Sequence, residues 1–442
     1  MTLDPHDQHS TLTESSEREL PAGEPALVFI GSPEKNFADA GQILPLDNVN
    51  LVRFGRMSGT AIDWKVDGEV AHLGIPVPWV SSAHAELSLR RSEEGVYSLR
   101  DLGSRNGTHC EGRRIARATR LRPGEIIELG RSFWMLREIS NAKRTGPRVE
   151  FEGLIGTANP ELNAAYQQLA RVSRSSVSIL LQGETGTGKR MTAEAIHKHS
   201  GREGEFIAVN LAAVSDADLD DVLSGPEGIF ARAQNGTVFL DELAELSPTA
   251  QSKLLAALDR HEIGGGEEED VVRIVSSTLV PLASEPRRGF RPDLHARLAG
   301  FHVQLPPLRG RREDLGRMCQ ALPDRPVKIG TPAFRRILAY RWPFNLRELR
   351  QTLATAKLLA GDGGELTSEL IADLLARRAD APSDADSIRS LREQIVRTLA
   401  SNRGSTDAAA NALELSSADL HRWIERFDIR PEDYATEHAA PS

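Results

Sequence analysis

The sequence is poor in cysteine and lacks long hydrophobic runs. Its two cysteines, Cys110 and Cys319, lie far apart among 442 residues, which excludes a disulfide framework and a cysteine-based metal site. No apolar run approaches the ~20 residues that a membrane-spanning helix needs. The first residues also lack the apolar segment of a secretory signal. We therefore expect a cytoplasmic protein without a membrane partner.

Positive charge is scarce as well. The chain has 54 Lys and Arg against 63 Asp and Glu, a net charge of −9. This balance argues against nonspecific nucleic-acid binding by the whole surface, although a local basic patch can still exist. Residues 1–25 hold six acidic residues and one arginine, with few apolar residues, so we predict a disordered acidic tail there. The length predicts about three domains at roughly 150 residues each.

Two polar linkers divide the remaining chain into three parts. Residues 26–140 contain many short strand patterns separated by glycine-rich turns. After a linker at 141–150, residues 151–378 alternate short apolar strands with helical stretches, which predicts a parallel sheet with helices on both faces. A second linker at 379–386 precedes residues 387–436, whose apolar residues recur at helical spacing.

Residues 180–189 combine an apolar strand, a glycine-rich loop and the start of a helix. Glycines let the loop N–H groups face phosphate oxygens, and Lys189 offers a positive charge to the β- and γ-phosphates. The predicted nucleotide-binding residues are Gly183, Glu184, Thr185, Gly186, Thr187, Gly188, Lys189 and Arg190. Arg190 stands where most such loops have a Ser or Thr that binds Mg²⁺. The alternative is an ordinary glycine turn, which the strand–loop–helix context disfavours.

A second apolar strand, residues 237–240, ends in two acidic residues. Asp241 is predicted to hold Mg²⁺ through its water shell, and Glu242 to polarise the attacking water. Two solvated acids at the end of a strand are common, so this pattern gains weight only from the glycine-rich loop upstream. Together the two motifs predict a site for ATP and Mg²⁺.

With these motifs, the segment from Leu154 to about Leu375 resembles the AAA+ domain of bacterial enhancer-binding proteins, the activators of sigma-54 RNA polymerase. The glycine-rich loop is close to that family's own loop, which also lacks Ser or Thr after the lysine. Further matching segments are 206–210, 290–298, 305–309 and 340–349.

The resemblance implies roles for single residues. Asn210 would pair with Glu242 as a nucleotide switch, and Arg347 would act as the lid sensor that reaches the γ-phosphate. Arg291 and Arg297 are the candidates for two arginine fingers that act on a neighbouring subunit. The resemblance also implies a homo-oligomeric ring, with a hexamer as one possible size.

Three departures from the family pattern matter. The family's Gly-Ala-Phe-Thr-Gly-Ala loop, which contacts sigma-54, has no counterpart between Gly225 and Gly228. Leu279 replaces a sensor asparagine, and Phe344 replaces a glycine of the lid. The missing loop predicts that sigma-54 is not remodelled. The two substitutions put the hydrolysis rate in doubt more than ATP binding.

Upstream, the segments 54–56, 80–85, 101–108 and 121–130 resemble, in that order, an FHA domain, a β-sandwich that binds phosphothreonine peptides. The resemblance implies a partner that is a phosphothreonine protein, either a Ser/Thr kinase or a kinase substrate.

The phosphopeptide site implied by this resemblance has four residues. Arg56 and Ser81 would meet the phosphate, and Asn106 would hydrogen-bond the peptide backbone. Ser82 is the fourth predicted phosphopeptide-binding residue. His84 would brace the loops from inside the domain. Ala83 and Glu111 depart from the common FHA pattern, which leaves peptide specificity open.

Residues 393–424 resemble a Fis-type helix-turn-helix, which implies promoter DNA as a partner and contacts from Ser417, Arg422 and Arg426. Residues 387–434 hold seven arginines and no lysine against eight acids, so one copy should bind DNA weakly. A helical oligomerisation module is the alternative.

The sequence thus predicts a multidomain protein: an FHA β-sandwich, an α/β AAA+ P-loop domain with a helical lid, and a small all-α helix-turn-helix. The predicted function is a phosphothreonine-responsive, ATP-binding transcriptional regulator of the sigma-54 activator family, with ATPase chemistry but no remodelling of sigma-54. A contact with RNA polymerase by another route stays open. The alternative is a nucleotide-dependent signalling scaffold with little ATP turnover or DNA binding.

Overall fold

The structure, a computed structural model, describes most of the chain. The described residues are 23–90, 97–139, 151–263, 272–282, 289–323, 325–361, 363–379, 395–402, 404–413, 420, 424 and 429. They fall into two compact units, Met1–Ser368 and Glu369–Ser442. Most of the predicted acidic tail, the linker at 141–150 and nearly all of the linker at 379–386 lie outside the described residues.

The N-terminal part of the first unit is a sandwich of two six-stranded sheets. Apolar side chains alternate inward along the strands, as Val52 and Phe54 do on either side of the exposed Arg53. One sheet has the order β2-β1-β12-β11-β8-β9 and the other β10-β7-β6-β3-β5-β4. Strand β1 begins at Glu24, opposite Ile139 of β12, so it takes up the last two residues of the predicted tail.

The twelve strands of the sandwich are β1 Glu24–Gly31, β2 Ile43–Pro45, β3 Leu51–Arg56, β4 Asp63–Asp67, β5 Val70–Ile75, β6 Ala85–Ser88, β7 Tyr97–Asp101, β8 Thr108–Cys110, β9 Arg113–Arg114, β10 Thr119–Leu121, β11 Ile126–Leu129 and β12 Ser132–Ile139.

A parallel sheet with the strand order β14-β15-β16-β13-β17 forms the centre of the next domain. Its strands are β13 Ile179–Gln182, β14 Phe206–Asn210, β15 Thr237–Asp241, β16 Arg273–Thr278 and β17 Phe301–Gln304. Leu180 and Leu240 pack into one apolar cluster, whereas Leu181 and Phe239 pack into another on the opposite face. Because both faces are apolar, helices cover both, which confirms the predicted α/β architecture.

Nine α-helices belong to the described part of this domain and its lid. They are α1 Pro160–Val172, α2 Lys189–Ser200, α3 Leu219–Ser224, α4 Ile229–Arg232, α5 Pro248–Ile263, α6 Pro292–Leu298, α7 Leu315–Ala321, α8 Thr331–Ala339 and α9 Asn345–Ala360. In the lid, the two-residue strands β18 Lys328–Ile329 and β19 Glu365–Leu366 pair in parallel.

The connection between α3 and α4 is a tight turn. Only residues 225–228 join the two helices. The N–H of Gly225 donates to the Asp221 carbonyl at 2.9 Å, and the N–H of Gly228 donates to the Gly225 carbonyl at 2.8 Å. A Cβ atom on Gly228 would lie 2.8 Å from the Leu223 carbonyl oxygen, so the turn requires glycine there. The connection is therefore a closed turn and not a projecting loop.

The sandwich and the lid share an apolar contact. Phe334 of α8 packs edge-on against Phe37 and Phe133 of the sandwich, with ring centroids 4.8 and 5.1 Å apart. All three rings are buried. The FHA-like domain is thus attached to the lid by buried side chains and not only by the chain connection.

The second unit is helical in its described part. Helix α10 (Ser368–Ala379) leads into it, and helical residues 395–401 are followed by α11 (Thr406–Ala412). The N–H of Gly404, at a φ of 76°, donates to the Leu399 carbonyl at 2.9 Å and ends the first helix. The apolar core contains Ile395, Leu399, Ala409, Ala410, Leu420, Ile424 and Ile429.

Two further predictions concern DNA contacts and membrane spans. The predicted DNA contacts Ser417, Arg422 and Arg426 lie outside the described residues. In the part of the chain that the structure covers, no helix combines the length and apolarity that crossing a membrane requires.

Candidate nucleotide and phosphopeptide sites

The glycine-rich loop lies at the carboxyl edge of the parallel sheet, between β13 and α2. Gly186 and Gly188 have φ values of 76° and 107°, a backbone conformation that glycine adopts without steric cost. Lys189, which is 9% exposed, donates through Nζ to the carbonyls of Gly183 at 2.7 Å and Glu184 at 3.2 Å. Burial lowers the Lys189 pKa. The ammonium group therefore lies over the loop, where a phosphate would replace these carbonyl contacts.

The two predicted acidic residues lie beside the loop, at the end of β15. Ser277 of β16 donates through Oγ to the Asp241 carboxylate and accepts from the Glu242 N–H at 3.4 Å. Glu242 has a φ of 62°, a left-handed conformation that is uncommon outside glycine and concentrates at functional sites. Ser277 is thus a positioning residue that the sequence motifs did not identify.

Asn210 ends β14, next to Asp241 in the strand register. Its Oδ1 accepts from the Ala212 N–H at 2.9 Å and caps the short helical turn Leu211–Ala213. The position suits a switch residue beside the catalytic edge, and the pairing of Asn210 with Glu242 stays a prediction.

A cavity of about 590 Å³ opens over the loop. This volume suits a bound small molecule of nucleotide size. Its lining combines apolar side chains with the loop, the two acids and cations of the lid. The lining residues are Leu154, Ile155, Tyr166, Thr185, Gly186, Thr187, Gly188, Lys189, Arg190, Met191, Thr192, Asp241, Glu242, Leu279, Arg311, Met318, Leu322, Leu346, Arg347, Arg350, Gln351 and Ala354.

The lid is bonded directly to the loop. Asn345, fully buried at the start of α9, accepts through Oδ1 from the Leu308 N–H at 2.7 Å and donates through Nδ2 to the Thr185 carbonyl at 2.9 Å. The Leu346 N–H donates to the Gly186 carbonyl at 2.9 Å. A Cβ atom on Gly186 would lie 2.2 Å from the Phe344 carbonyl oxygen. The lid therefore closes on the loop at backbone distance.

Phe344 fits this arrangement without strain. Its φ of −103° is open to any residue, so replacing the family's glycine leaves the lid contact intact.

Two arginines that sequence reasoning did not assign also hold the loop. Arg309 pairs with both carboxylate oxygens of Glu184 at 2.8 and 2.5 Å, and this hydrogen bonding lowers the Glu184 pKa. Arg311, 4% exposed, donates through Nη2 to the Thr187 carbonyl at 3.0 Å and lines the cavity. Arg309 ends a segment that matched the family, but the Arg311 contact crosses 124 positions and leaves no local signal.

The two candidate arginine fingers lie outside the cavity of their own chain. Arg291 pairs with Asp293 at 2.7 Å and donates to Ser252 Oγ at 2.9 Å. That pairing, a hydrogen bond from Arg291 above all, lowers the Asp293 pKa to about 2. Arg297 pairs with Asp259. Neither arginine belongs to the cavity lining.

The donor set near the loop fits a hydrated metal ion. No group of three or more His, Cys, Asp or Glu suited to a metal occurs in the described ranges. Arg190, in the place of the usual Mg²⁺-binding hydroxyl, is exposed and pairs with Glu194 at 3.1 Å. Mg²⁺ keeps several waters and is commonly held by one or two carboxylates and substrate phosphates. Asp241 can play that part through water.

The FHA-like loops are braced by a buried histidine. His84, fully buried, accepts through Nδ1 from the Ser81 N–H at 3.0 Å, and its Nε2 lies 3.3 Å from the Gly107 carbonyl oxygen. Burial lowers the His84 pKa, so the neutral ring is favoured. One side chain thus joins the two loops that carry the predicted phosphopeptide residues.

The predicted peptide-binding side chains lie on one set of loops. Arg56, Ser82 and Asn106 are exposed. The Arg56 N–H donates to the Ser81 carbonyl at 2.8 Å, which places the end of β3 beside the Ser81 loop. Asn106 Nδ2 donates to the Trp79 carbonyl at 2.6 Å. The structure therefore brings the segments of all four predicted residues together around one exposed edge of the sandwich.

These features identify an α/β P-loop domain that carries a helical lid and is joined to an FHA sandwich. The family described as "Sigma-54 interaction domain" matches residues 155–304, and the family described as "FHA domain" matches residues 52–130.

Among similar proteins, the Nif-specific regulatory protein of Azotobacter vinelandii is 35% identical over 48% of this chain and 46% of its own length. The transcriptional regulatory protein ZraR of Klebsiella oxytoca is 33% identical over 62% of this chain and 68% of its own length. A solved structure of NtrX from Brucella abortus in complex with ADP is 28% identical, covers 65% of this chain and 71% of NtrX, and superposes with a TM-score of 0.45.

The chain belongs to the family of sigma-54 activators and carries an FHA domain. It spans about half the length of the first curated relatives that it matches.

Proposed function

We propose that this protein is a cytoplasmic, ATP-binding transcriptional regulator that responds to phosphothreonine proteins and does not remodel sigma-54. The observation that carries the proposal is the cavity itself, in which a glycine-rich loop, two acids and a bonded lid converge within one chain. Loop N–H groups and Lys189 would hold the phosphates, and Arg347 and Arg350 would add charge from the lid.

The chemistry of hydrolysis would follow from the same residues. Glu242 would polarise a water in line with the γ-phosphate, while Ser277 keeps Asp241 and the Glu242 backbone in place. Mg²⁺, when bound, would supply charge neutralisation for the phosphates. Glu242→Gln should retain binding of a fluorescent ATP analogue and stop turnover, whereas Lys189→Ala should lose most of that binding. Absence of nucleotide binding by the wild type would refute this proposal.

We propose that the active form is a homo-oligomeric ring in which Arg291 and Arg297 act on the neighbouring subunit. Their location outside their own cavity supports this. Turnover per subunit should rise with protein concentration, and Arg291→Ala and Arg297→Ala should flatten the rise. Arg232→Ala, which breaks an exposed pair with Glu205, is the matched control. A turnover per subunit independent of concentration would contradict catalysis across an interface.

The proposal that sigma-54 is not remodelled rests on the four-residue turn between α3 and α4. A motor does work on a partner only through contacts that differ between its nucleotide states. The decisive assay is open-complex formation by purified sigma-54 polymerase, with this protein and ATP, on a promoter that carries its binding site. A conventional activator on its own promoter is the control. Melted promoter DNA with this protein would overturn the proposal.

DNA binding is proposed through the second unit, with Ser417, Arg422 and Arg426 as contacts and promoter DNA as the partner. The apolar core shared by residues 395–429 supports a small helical domain. A triple alanine variant of the three residues should lose specific binding in a fluorescence anisotropy titration, while the slope with salt reports the phosphate contacts. Equal affinity of variant and wild type would contradict this assignment.

One observation favours the alternative, a signalling scaffold with little turnover. Leu279, 38% exposed, presents an apolar side chain to the cavity where the family pattern has a polar sensor. Leu279→Asn should then raise single-turnover hydrolysis without changing nucleotide affinity. If the wild type already turns over ATP at a rate that Leu279→Asn does not increase, the scaffold alternative fails.

A further inference from the structure

The FHA sandwich contacts the segment next to the nucleotide cavity through an ion pair whose acidic partner is buried. Arg137 of β12 lies with Nη2 at 2.7 and 2.6 Å from the two carboxylate oxygens of Glu313, and Nη2 also donates to the Gly310 carbonyl at 3.2 Å. Glu313 is fully buried. A buried carboxylate without a countercharge costs free energy of folding. Arg137 of the FHA domain supplies that countercharge to Glu313 of the ATPase domain.

Glu313 is joined to the wall of the cavity that α1 forms. Its Oε1 accepts from Asn159 Nδ2 at 3.0 Å. Asn159 in turn accepts from the Leu162 N–H at 2.9 Å and caps α1, the helix that carries Tyr166 into the cavity lining. The Arg137–Glu313 pair therefore holds the start of α1 in place.

Two neighbours of Glu313 in the chain make further contacts. Asp314 accepts from Thr157 Oγ1 and from the Ala158 N–H, both at 2.6 Å, just before α1. Arg311, two positions before Glu313, donates to the Thr187 carbonyl of the glycine-rich loop and lines the cavity. One short segment thus joins the FHA domain, the start of α1 and the phosphate-binding loop.

The two domains also meet at backbone distance beside this segment. A Cβ atom on Gly316 of α7 would lie 1.8 Å from the Ile30 carbonyl oxygen of β1. Arg312 pairs with both carboxylate oxygens of Glu111 at 2.9 and 3.1 Å. Glu111 is one of the two departures from the FHA pattern, and this pair gives it a structural role in the contact between domains.

We propose that Arg137 of the FHA domain is a positioning residue for the nucleotide site. Through Glu313 it fixes Arg311 and the start of α1. The FHA domain therefore stabilises the walls of the cavity and is not an independent domain on a flexible linker. The proposal rests on the proposed binding of ATP. Breaking the pair should weaken nucleotide binding, although Arg137 itself lies outside the cavity.

The test is nucleotide affinity of the full-length chain, measured with a fluorescent ADP analogue. Arg137→Met leaves the buried Glu313 without its countercharge, and we expect a loss of affinity of about tenfold, equivalent to about 1.4 kcal/mol of binding free energy. The double variant Arg137→Met/Glu313→Gln removes the stranded charge and should recover most of that loss. Arg137→Lys should recover part of it.

Arg335→Met is the matched control. It breaks a second ion pair between the domains, from Arg335 of α8 to the buried Glu128 at 2.6 and 2.8 Å, which has no described contact with the cavity walls. A loss confined to Arg137→Met, with recovery in the double variant, would support the proposal. Equal losses in both single variants, or no recovery in the double variant, would overturn it.

A substitution that forces two backbone segments apart gives an independent test. Gly316→Ala should separate β1 from α7 and lower nucleotide affinity, whereas Gly310→Ala, whose Cβ would meet nothing closer than 3.9 Å, should not. Nucleotide binding by the wild type, with Lys189→Ala as the control for lost binding, distinguishes failure of the proposed function from failure of this proposal alone. If the wild type binds no nucleotide, both the proposed function and this proposal fall; if it binds and Arg137→Met binds equally, only this proposal falls.

Discussion

The nucleotide cavity and the phosphopeptide edge are built in opposite ways. At the cavity, Lys189, Arg311 and Asn345 are buried and bonded to backbone groups of other segments. At the phosphopeptide edge, Arg56 and Asn106 are exposed on loops over a rigid sandwich. Buried polar groups left without partners are costly, whereas exposed ones return to water. Changes at the cavity should therefore affect stability and binding together, and changes at the loops should affect binding alone.

The largest expected effect is at the cavity, with Lys189→Ala. Loss of a charged contact to phosphate removes about 1.5–3 kcal/mol, so affinity for an ATP analogue should fall up to about a hundredfold. Lys198→Ala, on the same helix and paired with Glu152 at the surface, is the matched control. Isothermal titration calorimetry measures both. Unchanged affinity in Lys189→Ala would show that the loop does not hold phosphate.

The corresponding change at the phosphopeptide edge is Arg56→Ala. Affinity for phosphothreonine peptides from a library should fall about ten- to a hundredfold. The reason is the loss of a charge-assisted hydrogen bond to phosphate, whose free energy is similar to that of the Lys189 contact. The melting temperature should stay near that of the wild type because Arg56 is exposed. Arg53→Ala, which breaks a surface pair with Glu86 on the same strand, is the control. Peptide binding by Arg56→Ala equal to wild type would refute the site.

Two asparagines test the comparison directly. Asn345→Ala leaves the Leu308 N–H and the Thr185 carbonyl without their partner, and should cost about 1–3 kcal/mol of unfolding free energy. Asn106→Ala should change that free energy by less than about 0.5 kcal/mol while weakening peptide binding. Urea denaturation measures both variants. Equal destabilisation would mean that the two sites do not differ in the way proposed.

The last expected effect concerns the pH dependence of stability. Burial, with the neighbouring Glu313, raises the Asp314 pKa to about 6. The folded state then binds more protons than the unfolded state between about pH 4 and 6, so this group's contribution to stability falls as pH rises through that window. Asp314→Asn removes the titration. The difference in urea midpoint between pH 4.5 and 6.5 should change in the variant, and identical pH profiles would contradict a raised pKa.

Much of the fold was predictable because its signals are local. Short apolar runs between helical stretches predicted a parallel sheet with helices on both faces, and the five-stranded parallel sheet confirms this. The structure brings Lys189, Asp241 and Glu242 to one edge of the sheet, because parallel strands bring their carboxyl ends together.

The residues that sequence reasoning missed share a physical cause. Ser277, Arg311 and Asn345 act through contacts with segments far away in the chain, such as the 160 positions between Asn345 and Thr185. Local spacing carries no information about such pairs. Glu111 was noticed only as a departure from the FHA pattern, and its pair with Arg312, 201 positions away, became visible only in the folded chain.

The sequence by itself determined the chemistry available to this protein: a glycine-rich loop with a lysine, a strand ending in two acids, and the ordered loops of an FHA domain. These are contiguous motifs, and their backbone requirements are met within a few residues of each other. The tertiary structure alone decided how the lid meets the loop and that Arg137 of one domain neutralises Glu313 of the other. A buried charge has to find its partner in three dimensions, and packing, not sequence order, sets which residue that is.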